Sequence, residues 1–193
     1  MKRFFSIIFP MVLCHGALAD GSYQMALGFF PMGRLIKKTA ENNQTALTGD
    51  LYLGFTNANK NSYGIILSAQ HEEAEQKGYS NPSDNQKVIR DRTSAGFAFG
   101  HSFDSFYLRL GVYGYSRWVD TFNTVATTYK NGLGVQFDCG VPIMMGSSFY
   151  FAPQVTIQMF QYLSSESNGE VSTLNPPMTD TVFSPYLVFG FTI

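Results

Sequence analysis

Few residues of this chain have the types and spacing that chemistry requires. His71 is followed by Glu72, Glu73 and Glu75, a set that could hold a metal ion or supply a base. A single imidazole among carboxylates is more often a solvated loop edge, and no metal site is assigned to it. His101 stands beside Ser102, the residue types of a base and a nucleophile. Adjacent residues of a strand point to opposite faces, so this pair cannot share a proton. Gly132-Leu133-Gly134 lacks the helix start that a phosphate cradle needs. Asn43-Gln44-Thr45 matches the glycosylation spacing by chance, and Cys139 reads as a small hydrophobe. More informative are Asp50, Arg92, Arg109, Arg117, Lys130 and Asp138, charges set within stretches that carry few others. A buried charge is tolerated only when paired. These six are expected to form an interior polar network, the alternative being the lining of a narrow pore. No catalytic residue, cofactor or metal is assigned.

The elements that must position these charges are strands. From Phe106 to Trp118 the even positions are Phe106, Leu108, Leu110, Val112, Gly114, Ser116 and Trp118. The odd positions are Tyr107, Arg109, Gly111, Tyr113, Tyr115 and Arg117. One face is mainly apolar and the other holds Gly, Tyr and Arg, a period of two that a helix would scatter. The same alternation runs through 133–143, 149–159 and 183–193, and less cleanly through 23–30, 50–55, 63–70 and 94–103. Eight strands of about ten residues result, the length of a tilted transmembrane strand. Their connections alternate in length. Lys37–Thr45, His71–Asp91 and Ser164–Thr181 are long and polar, and Asp120–Thr128 is intermediate. Asn57–Asn61, Asp104–Ser105 and Met144–Ser147 are short.

Composition narrows the class. Only 14% of the 193 residues are charged, against roughly 25% in a typical soluble domain. The net charge of -1 gives no basic surplus for nucleic acid, and none is expected as a partner. Met1-Lys2-Arg3, an apolar run from Phe4 to Leu13, and Ala17-Leu18-Ala19 follow the order of a secretory signal peptide. Residues 1–19 are therefore expected to be cleaved, leaving one domain, 20–193, without a disulfide.

Alternation alone does not say which face is inside. Three features put the apolar face outward. The other face is rich in Gly, Ala and Ser, which suit the narrow interior of an eight-stranded barrel. Most charges fall in the connections. The chain also ends inside its last strand, which a closed barrel can pair with its first. The fold class expected is all-β, a closed eight-stranded antiparallel up-and-down transmembrane β-barrel. Phe97, Phe99, Leu108, Leu110, Val135, Phe137, Val155, Ile157, Leu187 and Phe189 should point outward. Arg109, Asp138, Gln154 and Tyr186 should point inward. Tyr23, Phe55, Tyr63, Phe103, Phe106 and Phe149 should ring the short-turn end, with Trp118 and Tyr129 at the opposite interface.

The leader, eight alternating strands, loop asymmetry and aromatic last strand resemble the small outer-membrane β-barrels of Gram-negative bacteria: the OmpA transmembrane domain, OmpX and the opacity-type proteins. The most specific part is Tyr186-Leu-Val-Phe-Gly-Phe-Thr-Ile193, similar to the C-terminal signal read by the barrel-assembly machinery. That signal usually ends in Phe; here Phe189 and Phe191 supply the aromatics and Ile193 is last. The resemblance implies Sec export to the outer membrane, both termini periplasmic, and monomers in contact with outer-membrane lipid and lipopolysaccharide. It implies periplasmic chaperones during biogenesis. It also implies a non-enzymatic, structural or adhesin-like role, with a host or cell-surface ligand met through the outer loops. An outer-leaflet lipid A-modifying enzyme and a narrow channel are the alternatives it carries.

Overall fold

The computed structural model describes residues 21–30, 41–77, 85–122 and 125–193; the expected leader, 1–19, lies outside them. The strands are β1 (Gly21–Phe30), β2 (Glu41–Asn57), β3 (Asn61–Lys77), β4 (Asn85–Ser102), β5 (Tyr107–Phe122) and β6 (Val125–Gly140). They are followed by the two-residue β7 (Ile143–Met144), β8 (Phe149–Ser167) and β9 (Glu170–Thr192). Each long strand pairs antiparallel with its sequence neighbours, and β6 pairs with β8 across the short β7 segment. β1 pairs with β9 from Gln24↔Thr192 to Phe29↔Leu187. Tyr23 and Ile193 exchange backbone hydrogen bonds of 2.9 and 3.0 Å. Eight long strands therefore form a ring, which removes the sheet edges that a Phe-rich terminal strand would otherwise expose.

The outer face is a continuous apolar belt. Leu27, Phe97, Phe99, Leu110, Val135, Phe137, Val155, Leu187 and Phe189 are exposed, and Leu108 and Ile157 are half-buried on the same face. Such a belt far exceeds the few hundred Å² of contiguous apolar surface that a water-soluble monomer shows. It fits hydrocarbon as its solvent. Arg109, Asp138, Gln154 and Tyr186 are buried inside. At the short-turn end Tyr23 packs on Phe55, Tyr63 on Phe99, Phe103 on Phe106 and Phe149 on Phe191.

Two expectations need correction. The first concerns the long connections, whose described residues are largely strand; 37–40 and 78–84 lie outside the described residues. β3 and β4 stay paired from Asn61↔His101 to Lys77↔Asn85, across most of the expected His71–Asp91 loop. β5 and β6 pair to Phe122↔Val125, within the expected Asp120–Thr128 connection. β2 begins at Glu41, inside the expected Lys37–Thr45 loop. β8 and β9 pair to Ser167↔Glu170, and Asn168 and Gly169 turn with φ of 51° and 81°. Two residues of positive φ make the tight turn that matches hairpin twist. Beyond the belt the outer face meets water while the inner face buries charged residues such as Glu72 and Arg90, so alternation in polarity no longer marks a strand that is still paired. Opposite Leu163 the ladder skips residues 174–177, so the last hairpin carries its irregularity part-way along rather than at its tip.

The second correction concerns β5. Ala95 pairs with Tyr115 and Gly96 with Tyr113, so Gly114 is an extra residue. A one-residue bulge reverses the faces of everything beyond it. Trp118 is 2% exposed, inside the barrel and not at its outer interface, and Arg117 is exposed on the outside, not in the interior network. Tyr129 follows Trp118 inward, their rings 5.3 Å apart.

Candidate functional site

The lumen is the best-defined polar site. Alternation brings one side chain inward from every second residue of each strand, and small residues leave space for large ones opposite. Gly132 shows this: a Cβ there would lie 2.6 Å from the Tyr162 ring. At the short-turn end Tyr107 donates to Gln154 Oε1 at 2.5 Å. Arg109 Nη2 reaches the same oxygen at 3.3 Å, and Arg109 Nε donates to Asp138 Oδ2 at 2.9 Å. The Arg109 guanidinium also covers the Tyr52 ring at 4.6 Å. Asp138 Oδ1 accepts from Thr156 at 2.9 Å and from Gln136 Nε2 at 2.8 Å. The same amide donates to Asp50 Oδ2 at 2.8 Å. Gln136 Oε1 accepts from Tyr113 at 2.5 Å and from Gln158 at 2.7 Å. Gln158 Oε1 in turn accepts from Arg92 at 2.6 Å, and Arg92 pairs with Asp180 at 3.0 Å. One hydrogen-bonded chain thus runs from Tyr107 to Asp180 along the lumen.

Toward the hairpin end the lumen becomes aromatic. Trp118, Tyr129, Tyr162 and Phe160 pack together, with Arg92 4.0 Å above the Phe160 ring. Above this collar Arg90 donates to Glu72 Oε1 at 2.6 Å, and Gln70 to Glu72 Oε2 at 3.1 Å. Inward charges mostly neutralised in pairs and side chains filling the bore are what eight strands allow.

No protein-family model matches the sequence, and no curated protein matches it. Among solved structures, a major outer membrane protein from Thermus thermophilus is 11% identical. The match covers 90% of this chain and 99% of that one, with a TM-score of 0.55. The fold is that of a small outer-membrane β-barrel. The outer membrane protein OprG from Pseudomonas aeruginosa also matches, at 13% identity over 91% of this chain and 96% of that one, with a TM-score of 0.45. Neisserial surface protein A matches at 12% identity over 91% and 97%, with a TM-score of 0.40.

In this outer-membrane-type barrel, Asp50, Arg92, Arg109 and Asp138 of the six expected interior charges are buried. Lys130 is not: its side chain is 45% exposed and pairs with Glu166 near the hairpin end, where a second irregularity in β6 breaks the alternation. Arg117 is outside, as described above. Asp50 differs from its neighbours in lacking an arginine partner, and its Oδ1 has no hydrogen bond among the described residues. The Glu72–Arg90 and Arg92–Asp180 pairs have partners that sequence reasoning left in loops. Their signal was parity: Gln70 and Glu72 continue the inward positions of Ile66 and Ser68.

The acidic cluster at His71 is divided by the strand. Glu72 turns inward, while His71 Nδ1 lies 2.7 Å from Asp91 Oδ1 on the outside, with Glu73 3.6 Å from Nε2. These groups stand beyond the apolar belt. The hydrogen bond to Asp91 raises the imidazole above its ordinary value. His101 bonds to Asn61 Oδ1 at 2.8 Å and packs edge-on against Phe103. Of the residues expected as the assembly signal, Tyr186, Phe189 and Phe191 lie on the strand that closes the ring and Ile193 follows it; Tyr186 points inward and the other three are exposed.

Proposed function

We propose that the protein is a non-enzymatic outer-membrane protein, exported after loss of residues 1–19, whose barrel is a closed anchor and whose working surface is the set of projecting hairpins. The observation that carries this reading is the hydrogen-bonded chain from Tyr107 to Asp180, which fills the bore with side chains bonded mainly to one another. The hairpins contrast with it: Val171 is 66% exposed, and β8–β9 continues past the belt by many residues. Such a hairpin suits an adhesin-like contact with another surface or cell.

Three measurements test the reading together. Fractionation of expressing cells should recover the folded barrel in the outer membrane, beginning at Asp20. Planar bilayers holding purified protein should show no discrete ion steps. Lipid A mass spectra should be the same with and without expression. Recovery in the inner membrane or cytoplasm would overturn the location, conductance steps the closed anchor, and a new lipid A species the non-enzymatic role. Cell adhesion lost on deletion of 168–177, with the barrel still folded, supports the hairpin role; adhesion unchanged by that deletion overturns it.

A further inference from the structure

The seam between β5 and β6 is broken twice in a short distance. Tyr113↔Gly134 is followed by Ser116↔Gly132, and this by Trp118↔Tyr129. Gly114 and Tyr115 stand against Leu133 alone, and Lys130 and Asn131 against Arg117 alone, so each strand carries one extra residue there; Asn131 has a φ of 52°. The two irregularities open a depression of about 480 Å³ in the outer wall. A Cβ on Gly114 would meet nothing within 4 Å. Bulges are devices for re-aiming side chains, and this one turns Arg117 out of the lumen to the wall.

The depression has two kinds of lining. Leu133, Leu163 and Tyr115 are 42–55% exposed and give it an apolar floor. Arg117, Lys130 and Asn131 give it a polar rim. Lys130 is held by Glu166, and the Asn131 amide donates to Ser164 Oγ at 3.1 Å. Arg117 has no acidic partner among the described residues, so it is the residual positive charge of the rim. Arg117 pairs in register with Thr93, next below the row Val119–Asp91–His71 where charged groups begin on the outside. A cation at the upper edge of an apolar belt, beside an apolar hollow, complements an amphiphile with an anionic head.

We infer that this hollow binds a phosphate-bearing membrane lipid, its phosphate on Arg117 and its acyl chain over Leu133 and Leu163. The guanidinium fork matches two phosphate oxygens at once. The shared chemistry is a phosphate monoester or diester on an acylated body, and lipid A and glycerophospholipid both supply it. The inference takes from the proposed function only that the barrel sits in a membrane.

The test is native mass spectrometry of the purified, folded barrel in maltoside micelles. The probes are bisphosphorylated lipid A, dephosphorylated lipid A, phosphatidylglycerol and inorganic phosphate. Phosphate-bearing lipids should give adducts, and Arg117→Gln should weaken them about fivefold, the weight of one cation at a membrane surface. Arg117→Lys keeps the charge but loses the two-point contact, so its binding should fall between that of the parent and Arg117→Gln. Lys87→Gln should leave it unchanged, because that ammonium is already engaged by Glu73 at 3.1 Å. Stronger adducts with lipid A than with phosphatidylglycerol identify the glycolipid as source, and the reverse order the glycerophospholipid. Undiminished binding by Arg117→Gln would overturn the inference. So would equal binding of dephosphorylated lipid A, displacement by inorganic phosphate, or an equal loss in Lys87→Gln. Circular dichroism and heat-modified gel mobility report whether each variant is folded. Failure here leaves the cell-fractionation result untouched, so the two readings fall separately.

Discussion

The two halves of β5, below and above Gly114, share one backbone and one pair of neighbours yet face different surroundings. Below, Arg109, Gly111 and Tyr113 turn inward while Leu110 and Val112 meet the membrane side. Above, Ser116 and Trp118 turn inward while Tyr115 and Arg117 are outside. The lumen changes character at the same height, from the amide and ion-pair chain around Asp138 to the collar of Trp118, Tyr129 and Tyr162. One inserted residue therefore decides both which side chains fill the bore and which cation the wall displays. Solvent is assigned to a side chain by register, and register can be reset by a single backbone step.

The largest effect expected from this comparison separates its two arginines. Arg109→Leu removes the partner of Asp138 and leaves a carboxylate buried without its cation, at a cost of roughly 3–5 kcal/mol. Arg117→Leu takes away an exposed charge and should stay within about 0.5 kcal/mol. Urea unfolding in lipid vesicles reads both. Equal losses would place Arg117 inside and remove the bulge.

The next effect tests the outer face below the bulge. Leu110→Arg or Val135→Arg puts a cation against hydrocarbon near mid-strand and should cost roughly 2–4 kcal/mol. Ser165→Arg, in the hairpin beyond the belt, keeps its charge in water and should cost little. If Leu110→Arg were as mild as Ser165→Arg, the belt would not be facing lipid.

Deleting Gly114 tests the step itself. Without the extra residue the upper half of β5 must either reverse its faces or strain its pairing, at about 1–3 kcal/mol. The readout is the fluorescence of Trp118, the only tryptophan. Brominated acyl chains should leave the parent barrel bright and quench the deletion variant. Equal quenching in both would mean that Trp118 already meets lipid.

These regions also differ in how far sequence reveals them. Where water is absent from one face, polarity must alternate, and 133–143, 149–159 and 183–193 could be placed by counting. The same counting put Arg109 and Asp138 inside, because Arg109 shares its face with Gly and Tyr and Asp138 with Gly and Gln, each opposite an apolar face. It failed for Trp118 and Arg117 because Gly114 looks like any other strand glycine; what makes it a bulge is the partner register of β4 and β6. It stopped short at Glu72, Arg90 and Asp180 because strands that leave the membrane keep their pairing but lose the polarity contrast. Ion pairs between residues 18 and 88 positions apart, such as Arg90–Glu72 and Arg92–Asp180, are set by ring topology and have no local signature.

The smallest effect lies at the outer rim, where the β3–β4 extension carries His71. Its imidazole is raised above 6.5 first by the hydrogen bond with Asp91, with burial opposing and the Asp91 and Glu73 charges adding to the rise. A raised folded-state value means that protonated His71 stabilises the hairpin. That contribution is fully present below the unfolded imidazole value and fades as pH rises through the higher folded one. Both side chains are about half exposed, at 52% and 54%, so water and salt screen the pair and its weight is under about 1 kcal/mol. An NMR titration in micelles is more sensitive than unfolding to an effect of this size. Asp91→Asn should bring the His71 midpoint down toward 6.5. Glu73→Gln should lower it less, because Glu73 stands 3.6 Å away and is shared with Lys87. A midpoint indifferent to Asp91→Asn would mean that β3 and β4 are not paired at this height, and the hairpin would have to revert to the open loop that its composition suggested.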